Sequence, residues 1–239
     1  MNRPKIDIVI VSYAYNEECE NLTRNCIKSL YLSESDAKEI FNVILVESEE
    51  SMVDVWIRDY PGVNSYLASK PYGYHKFLNF GRKKGDAEWV ALCNNDLEFT
   101  EGWYTEILKE YQNNHTVLSF SPICPRTQPL YGINPHSGKY LGYDIRKQIS
   151  GWCLVHRREL YLEIGDLDER FYHWFCDNDF AMTLKDKGIL HMLVTSSIVI
   201  HHDKNIGKTT EEVVKSNEEM WRLTSGSQPI FVEKWKDKF

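Results

Sequence analysis

Short apolar runs alternate with amphipathic stretches along the first hundred residues. Strand-like runs occupy residues 6–11 (Ile-Asp-Ile-Val-Ile-Val), 43–46 and 89–93, and each is followed by a cluster of polar side chains. Helical spacing is seen at Leu22, Cys26, Ile27 and Leu30, and a further helix is predicted over residues 76–84. Because parallel strands require crossover connections, strands alternating with helices predict an α/β fold with a mostly parallel central sheet flanked by helices.

The second half of the chain repeats this alternation less regularly. The pattern predicts helices over residues 102–113, 157–164, 177–187 and 210–224, and strands over residues 64–68, 117–120, 151–155 and 190–200. Residues 121–149 are rich in Pro and Gly and show no periodicity. Irregular segments of this length are usually functional or mobile, so an acceptor-binding loop and a loop that only packs on the domain both stay open.

Composition narrows the class of protein. The 239 residues are 42% apolar and 26% charged, which is typical of a soluble globular chain. The net charge of −7 argues against broad, nonspecific binding of nucleic acid. Six scattered cysteines without a C-x-x-C pair indicate reduced thiols rather than a zinc site or disulfides. With no signal peptide and no apolar run of about 20 residues, we expect a cytoplasmic protein without a transmembrane segment.

The polar cluster Asn94-Asn95-Asp96 directly follows the third strand-like run. Open α/β sheets bind their ligands at the carboxyl ends of strands. Carboxylate and amide oxygens are also ligands that Mg²⁺ and Mn²⁺ prefer. The sequence therefore predicts a metal-assisted site for a phosphorylated ligand, and the alternative is a turn in which Asn and Asp cap the next element.

Two further clusters carry groups suited to chemistry. Asp177 and Asp179 lie at the start of a predicted helix, where a carboxylate acts either as a helix cap or as a general base for an attacking hydroxyl. His201 and His202 end the last predicted strand, where an imidazole is either a polar strand end or a ligand that Mn²⁺ accepts.

Taken in order, these motifs resemble those of GT-A fold glycosyltransferases and are similar to the inverting family 2 enzymes. Asn94-Asn95-Asp96 stands at the D-x-D motif, with Asn94 replacing the first Asp. Asp177-Asn178-Asp179 matches the E-D-x-D motif, with Cys176 where Glu is common. The other matching segments are residues 6–18, residues 43–48 with Glu47 in place of the usual Asp, Asn79 with Gly81, residues 151–159, residues 165–171 and residues 199–202.

The resemblance implies a role for each matching residue. Asp96 and His201 would hold a divalent cation, Mn²⁺ or Mg²⁺, and Asp177 would be the catalytic base. The residues that would bind nucleotide or substrate are Ser12, Tyr13, Tyr15, Glu17, Glu47, Asn79, Asn94, Asn95, Trp152 and Asp179.

The resemblance also implies an organisation and an activity. Residues 1–205 would form a single GT-A domain, with a nucleotide-sugar half (1–97) and an acceptor half (98–205), followed by a helical tail (206–239). The enzyme would be an inverting, metal-dependent hexosyl- or pentosyltransferase that uses a nucleoside diphosphate sugar, with UDP as the favoured carrier. A glycan, a lipid-linked glycan at the membrane surface, a protein and a modified nucleobase in DNA remain open as acceptors. The basic runs Arg82-Lys83-Lys84 and Arg157-Arg158 keep the nucleobase open, and the alternative for these runs is ordinary solvated surface. The alternatives are a nucleotidyltransferase and an inactive nucleotide-sugar-binding protein.

Overall fold

The structure is a computed structural model that describes residues 3–202, 218, 221 and 224–238. Its strands are β1 (Ile6–Ser12), β2 (Phe41–Glu47), β3 (Val63–Leu67), β4 (Trp89–Asn94), β5 (Leu97–Phe99), β6 (Ser119–Ile123), β7 (Lys139–Leu141), β8 (Cys153–Arg157) and β9 (His191–His201). Its α-helices are α1 (Glu17–Leu32), α2 (Ala37–Ile40), α3 (Val53–Asp59), α4 (Tyr74–Arg82), α5 (Trp103–Asn113), α6 (Leu160–Ile164), α7 (Cys176–Lys187) and α8 (Ser227–Trp235). Short 3₁₀ turns cover Glu50–Met52, Gln128–Tyr131 and Lys236–Lys238.

The strands form one sheet in the order β3-β2-β1-β4-β8-β6-β9-β5, with β7 paired to β9. The first four of these are parallel, as the sequence predicts. Strand β8 runs antiparallel to both β4 and β6, whereas β6 and β9 are parallel. The second half of the sheet therefore mixes directions. As a result, the carboxyl end of β4 meets the amino end of β8, which brings residues 94 and 152 together.

The core lies on both faces of the sheet. Along β1, Ile6, Ile8 and Ile10 pack on one face with α1 and α5 residues, while Val9 and Val11 pack on the other with α4 and α7 residues. This alternation follows from the two-residue period of a strand that is covered on both sides. Gly81 lets α4 approach the sheet closely, because a β-carbon there would lie 2.4 Å from a methyl group of Val9.

Most predicted elements appear within a few residues of their expected bounds. The segment 190–200, where one or two strands are expected, is the single strand β9, and Gly188 ends α7 in the left-handed conformation. The helices α2 and α3 and the short strands β5 and β7 were not predicted, and α8 lies in the segment that was predicted only as a helical tail. The predicted helix over residues 210–224 falls almost entirely outside the described residues. None of the helices described here has the length and apolar character needed to cross a membrane.

Candidate active site

A buried pair formed by Asp96 and His201 lies just beyond β4. The Asp96 Oδ2 atom and the His201 Nε2 atom are 3.2 Å apart, and both side chains are largely shielded from solvent. Strand β5 holds them together, since Leu97 pairs directly with His201. His202 points elsewhere and contacts Glu98 at 2.9 Å. Of the two adjacent histidines, His201 is therefore the one that faces the acid.

The Asp96–His201 pair has the chemistry of a partial cation site. Asp96 Oδ1 is buried without a hydrogen-bond partner, and His201 Nε2, although 3.2 Å from Asp96 Oδ2, is buried and not aligned with that atom for a hydrogen bond. Buried polar atoms are rarely left unsatisfied, so two such atoms side by side fit an absent ligand. No group of three or more His, Cys, Asp or Glu side chains with metal-binding geometry occurs in the described part of the chain. The pair thus suits a cation that takes its other ligands from phosphate and water, as Mg²⁺ commonly does.

The two asparagines before Asp96 are engaged by neighbouring elements. Asn94 Oδ1 accepts a hydrogen bond of 2.6 Å from the Tyr74 hydroxyl, which also contacts the Gly151 carbonyl at 3.2 Å. Asn95 Nδ2 donates to Thr23 Oγ1 at 2.9 Å. These bonds fix the direction of the chain as it leaves β4, so the asparagines shape the corner in which Asp96 lies.

Trp152 packs against the imidazole of His201. The two rings are stacked, with centroids 5.5 Å apart and an interplanar angle of 13°. The Trp152 carbonyl accepts a 2.9 Å bond from the Asn94 backbone N–H. Because the indole is buried, its visible function is to hold the His201 ring in place. Its predicted contact with substrate stays a prediction.

Glu47 lies at the end of β2, opposite Ser12 at the end of β1. Its Oε1 atom accepts hydrogen bonds from the backbone N–H groups of Ala14, Ser48 and Glu49 at 3.1, 2.8 and 2.9 Å. Its Oε2 atom accepts the indole N–H of Trp56 at 2.9 Å. The fully buried carboxylate thus stabilises the two turns that follow β1 and β2, where the sequence predicts the nucleotide site.

Near Glu47, the turn after β1 carries two aromatic rings at the start of α1. Tyr13 and Tyr15 are half-buried and stack on each other, with ring centroids 4.9 Å apart. Ser12 is buried, and its hydroxyl lies 2.9 Å from Thr23 Oγ1. Glu17 is exposed in the first turn of α1. The turn therefore presents aromatic surface at the carboxyl edge of the sheet, which suits stacking of a base.

Asp177 lies in the first turn of α7 and packs against Gly151. A β-carbon added at Gly151 would lie 2.9 Å from the Asp177 β-carbon, so glycine permits this approach. Burial raises the pKa of the Asp177 carboxyl, while hydrogen bonds from backbone N–H groups and the charge of Arg146 act in the opposite direction. A carboxylate with a raised pKa in a half-buried site is suited to accept a proton from a hydroxyl.

A single side chain connects the Asp177 region with the Asp96 corner. Tyr74 contacts Asn94, which precedes Asp96, and also Gly151, which packs on Asp177. The structure thus brings the predicted metal corner and the predicted base to the same edge of the sheet. Sequence reasoning missed Tyr74, because its position at the start of α4 matches no motif. It also missed Arg146, whose importance depends on a tertiary approach to Asp177.

Two predicted site residues have their side chains occupied within the protein. Asn79 is buried in α4, where its amide donates to the Leu167 carbonyl at 2.8 Å and accepts from the Leu167 N–H at 3.0 Å. Asp179 is buried in α7 and accepts bonds from Trp235 Nε1 and Lys234 Nζ, both at 2.9 Å. These contacts anchor the loop before α7 and the helix α8. The predicted substrate contacts of Asn79 and Asp179 stay predictions.

Comparison with known proteins decides the family. The sequence profile of glycosyl transferase family 2 matches residues 8–186, which begin inside β1, contain β2 to β8 and end one residue before the end of α7, the helix that carries Asp177. The chain belongs to glycosyl transferase family 2. The region matched contains all the predicted site residues except His201.

Two similar bacterial proteins give this family member its context. It is 20% identical over 234 residues to the O-antigen biosynthesis protein RfbC of Myxococcus xanthus, with 84% of this chain and 17% of the relative covered. It is 23% identical over 186 residues to an N-acetylglucosaminyl-diphospho-decaprenol L-rhamnosyltransferase of Mycobacterium tuberculosis, with 61% of each protein covered. The chain therefore spans less than two thirds of the length of either relative.

Solved structures confirm the GT-A fold of this family 2 member. GalNAc-T7 with UDP, GalNAc and Mn²⁺ superposes with a TM-score of 0.65 at 14% identity, covering 83% of this chain and 43% of the other. The mannosyltransferase PcManGT of Pyrobaculum calidifontis, in complex with GDP-Man and Mn²⁺, gives a TM-score of 0.64 at 16% identity, covering 86% of this chain and 59% of the other. At these identities the likeness defines the fold, and the site residues have to be judged on their own geometry.

Proposed function

We propose that this protein transfers a sugar from a nucleoside diphosphate sugar to an acceptor hydroxyl, with inversion at the anomeric carbon. The observation that carries the proposal is the convergence of two groups at one edge of the sheet. One is the Asp96–His201 pair with its unsatisfied polar atoms, and the other is Asp177 with its raised pKa. Family 2 membership supports the same conclusion.

In this proposal one set of residues acts on the sugar donor and another acts on the acceptor. Asp96 and His201 would hold a Mn²⁺ or Mg²⁺ ion, which when bound neutralises charge on the departing diphosphate. Tyr13 and Tyr15 would pack against the base, on the turn that Glu47 fixes. Asp177 would take the proton of the acceptor hydroxyl. Because its ionised form is needed, activity should fall at low pH.

A lipid-linked glycan is the acceptor class that we propose. The mycobacterial relative is named for an acceptor that carries a diphospho-decaprenol group. Three side chains of the basic runs that kept a nucleobase acceptor open pair with carboxylates of the chain itself. Arg82 pairs with Asp166 at 2.5 Å, Lys83 pairs with the same carboxylate, and Arg158 pairs with the buried Asp7. These ion pairs weaken the argument from the basic runs, and a nucleobase acceptor gains no support.

The test is release of nucleoside diphosphate from a panel of donors in the presence of Mn²⁺ and a lipid-linked glycan. One solved relative contains UDP and the other GDP-Man, so the panel must include both nucleotides. We expect turnover with one donor and inversion of the anomeric configuration in the product. Release of pyrophosphate from a nucleoside triphosphate would instead indicate a nucleotidyltransferase, and donor binding without turnover would indicate an inactive binder.

Asp177→Asn tests the base directly. We expect turnover to fall by a factor of about 10² to 10⁴, the usual contribution of a general base, with donor affinity nearly unchanged. Asp186→Asn is the matched control, since it removes a carboxylate from the exposed end of the same helix. Normal turnover in Asp177→Asn would overturn the assignment. Removal of the divalent cation by a chelator should abolish binding of the nucleotide sugar to the wild type. Binding that is unchanged by the chelator would contradict the assignment of Asp96 and His201 as metal ligands.

A further inference from the structure

The helix that carries Asp177 begins without a side-chain cap. The residue before it, Phe175, adopts a left-handed conformation with φ of 66° and gives no side-chain cap, and within the first turn Asp177 Oδ1 accepts from the Asn178 N–H at 2.9 Å. A left-handed backbone is unfavourable for a bulky residue and persists only where surrounding contacts impose it. The left-handed Phe175 at the start of this turn therefore needs support from contacts outside the helix.

Two adjacent residues at the end of α8 provide such contacts. Trp235 Nε1 donates to Asp179 Oδ1 at 2.9 Å, and Lys234 Nζ donates to Asp179 Oδ2 at 2.9 Å. Lys234 Nζ also contacts Asp168 Oδ2 at 3.0 Å. Asp179 is buried, so its charge is balanced by groups that come from α8. The ammonium group thus connects α7 with the loop that precedes it.

Apolar contacts reinforce this polar connection. Phe231 of α8 lies against the ring of Phe175, with centroids 5.2 Å apart, and against Phe171 at 6.5 Å. Phe171, Cys176, Phe231 and Trp235 form a small core cluster of their own. Hence α8 holds the left-handed Phe175 and the first turn of α7 in one packed unit.

The position of this turn matters because Asp177 is tightly confined. Asp177 lies between Cys176, which belongs to the α8 cluster, and Asp179, which receives the bonds from α8. On its other side it abuts Gly151, where even one added β-carbon would come within 2.9 Å. A shift of the first turn would therefore move the carboxylate relative to β8 and the Asp96 corner.

We propose that Lys234 and Trp235 are positioning residues that act through Asp179 to place the Asp177 carboxylate for proton transfer. The inference rests on the proposed function, because it assigns a purpose to the geometry of Asp177. In this proposal α8 contributes to the placement of the base that acts on the acceptor. Misplacing a reacting group by about 1 Å can cost on the order of 10²-fold in rate, so small displacements of α7 should be measurable.

Conservative variants of the full chain test the proposal. Trp235→Phe removes the indole donor but keeps an aromatic ring, and Lys234→Met removes the ammonium but keeps the length of the side chain. We expect each to lower kcat by about 10- to 100-fold, with the KM for the nucleotide sugar and the Kd for the nucleotide unchanged within about twofold. Lys234→Arg keeps charge and donors and should restore most of kcat. Lys236→Met, which removes an exposed ammonium paired with Glu233, should match the wild type.

Hydrogen exchange at the amides of residues 171–180 provides a second readout that needs no turnover. We expect faster exchange in Trp235→Phe and Lys234→Met than in Lys236→Met. Unchanged exchange, unchanged kcat, or an equal loss of kcat and nucleotide affinity in the first two variants would overturn the inference. If the wild-type protein transfers no sugar although these amides become exposed, the proposed function fails while the connection between α8 and α7 stands.

Discussion

Two histidines buried at the centre of the sheet should make the fold sensitive to acid. His156 on β8 and His191 on β9 both approach the hydroxyl of Ser119, at 3.3 and 2.8 Å. Burial lowers the pKa of His156 to about 3, with help from the neighbouring His191 and Arg82, and burial lowers the pKa of His191 to about 4. The ordinary pKa is 6.5, so below that pH the unfolded chain binds protons that the folded chain excludes.

The magnitude follows from proton linkage. Stability is unaffected above pH 6.5 and is lost as pH falls toward the folded pKa values, by about 1.4 kcal/mol per pH unit for each histidine. Between about pH 7 and about pH 5 the pair should lower the free energy of unfolding by about 4 kcal/mol. In His156→Leu one of the two groups is gone, while Ser119 keeps its contact with His191. The pH dependence should then become shallower by about 1.4 kcal/mol per pH unit.

Urea unfolding at a series of pH values measures this slope. His115→Gln, which removes an imidazole exposed at the turn after α5, is the control. An unchanged slope in His156→Leu would show that His156 takes up no proton on unfolding. The reasoning from its burial would then be wrong.

Two further substitutions test the site. Arg146→Gln should move the acid limb of the pH profile of kcat to higher pH, because the charge of Arg146 lowers the pKa of the Asp177 base. Lys147→Gln is the control and should leave that limb in place, since the Lys147 ammonium pairs with Asp144. An unchanged pH profile in Arg146→Gln would show that the charge of Arg146 does not affect the pKa of the base. Glu47→Gln should lower the free energy of unfolding by about 1–3 kcal/mol, since a side-chain NH₂ must face either the Trp56 indole N–H or the three backbone N–H groups. Calorimetry measures the loss, with Glu49→Gln as the control because that variant keeps an acceptor oxygen for the Ser51 hydroxyl. Equal melting temperatures of the two variants would contradict the prediction.

The sequence was informative where local pattern and structure coincide. The apolar run in β1 and the helical spacing in α1 predicted those elements because both are decided by burial of nearby side chains. The strands β5 and β7 have three residues each, which is too short for a period to show. Helix α8 combines Pro229 in its first turn with a weak pattern, so its formation depends on packing against α7.

The same distinction applies to the site. Asp96, His201 and Asp177 were identified because ordered motifs place them at the edge of an α/β sheet. No local signal shows that the carboxylates of Glu47 and Asp179 are occupied by Trp56 and Trp235, since those contacts depend on the finished fold. The mixture of parallel and antiparallel strands in the second half of the sheet could not be predicted either, because the direction of a strand depends on which strands pair.

The reversal of direction between β4 and β8 has a consequence for how this enzyme class can diversify. Residues 124–150 connect β6 with β8, contribute only the short strand β7 to the sheet, and return just before β8 at the edge where β4 ends in Asn94. Their length and composition can therefore change without altering any pairing between β1, β2, β3 and β4. Exchange of this one segment would leave the strands of the predicted nucleotide-sugar half unchanged, so the predicted acceptor side could vary independently of it.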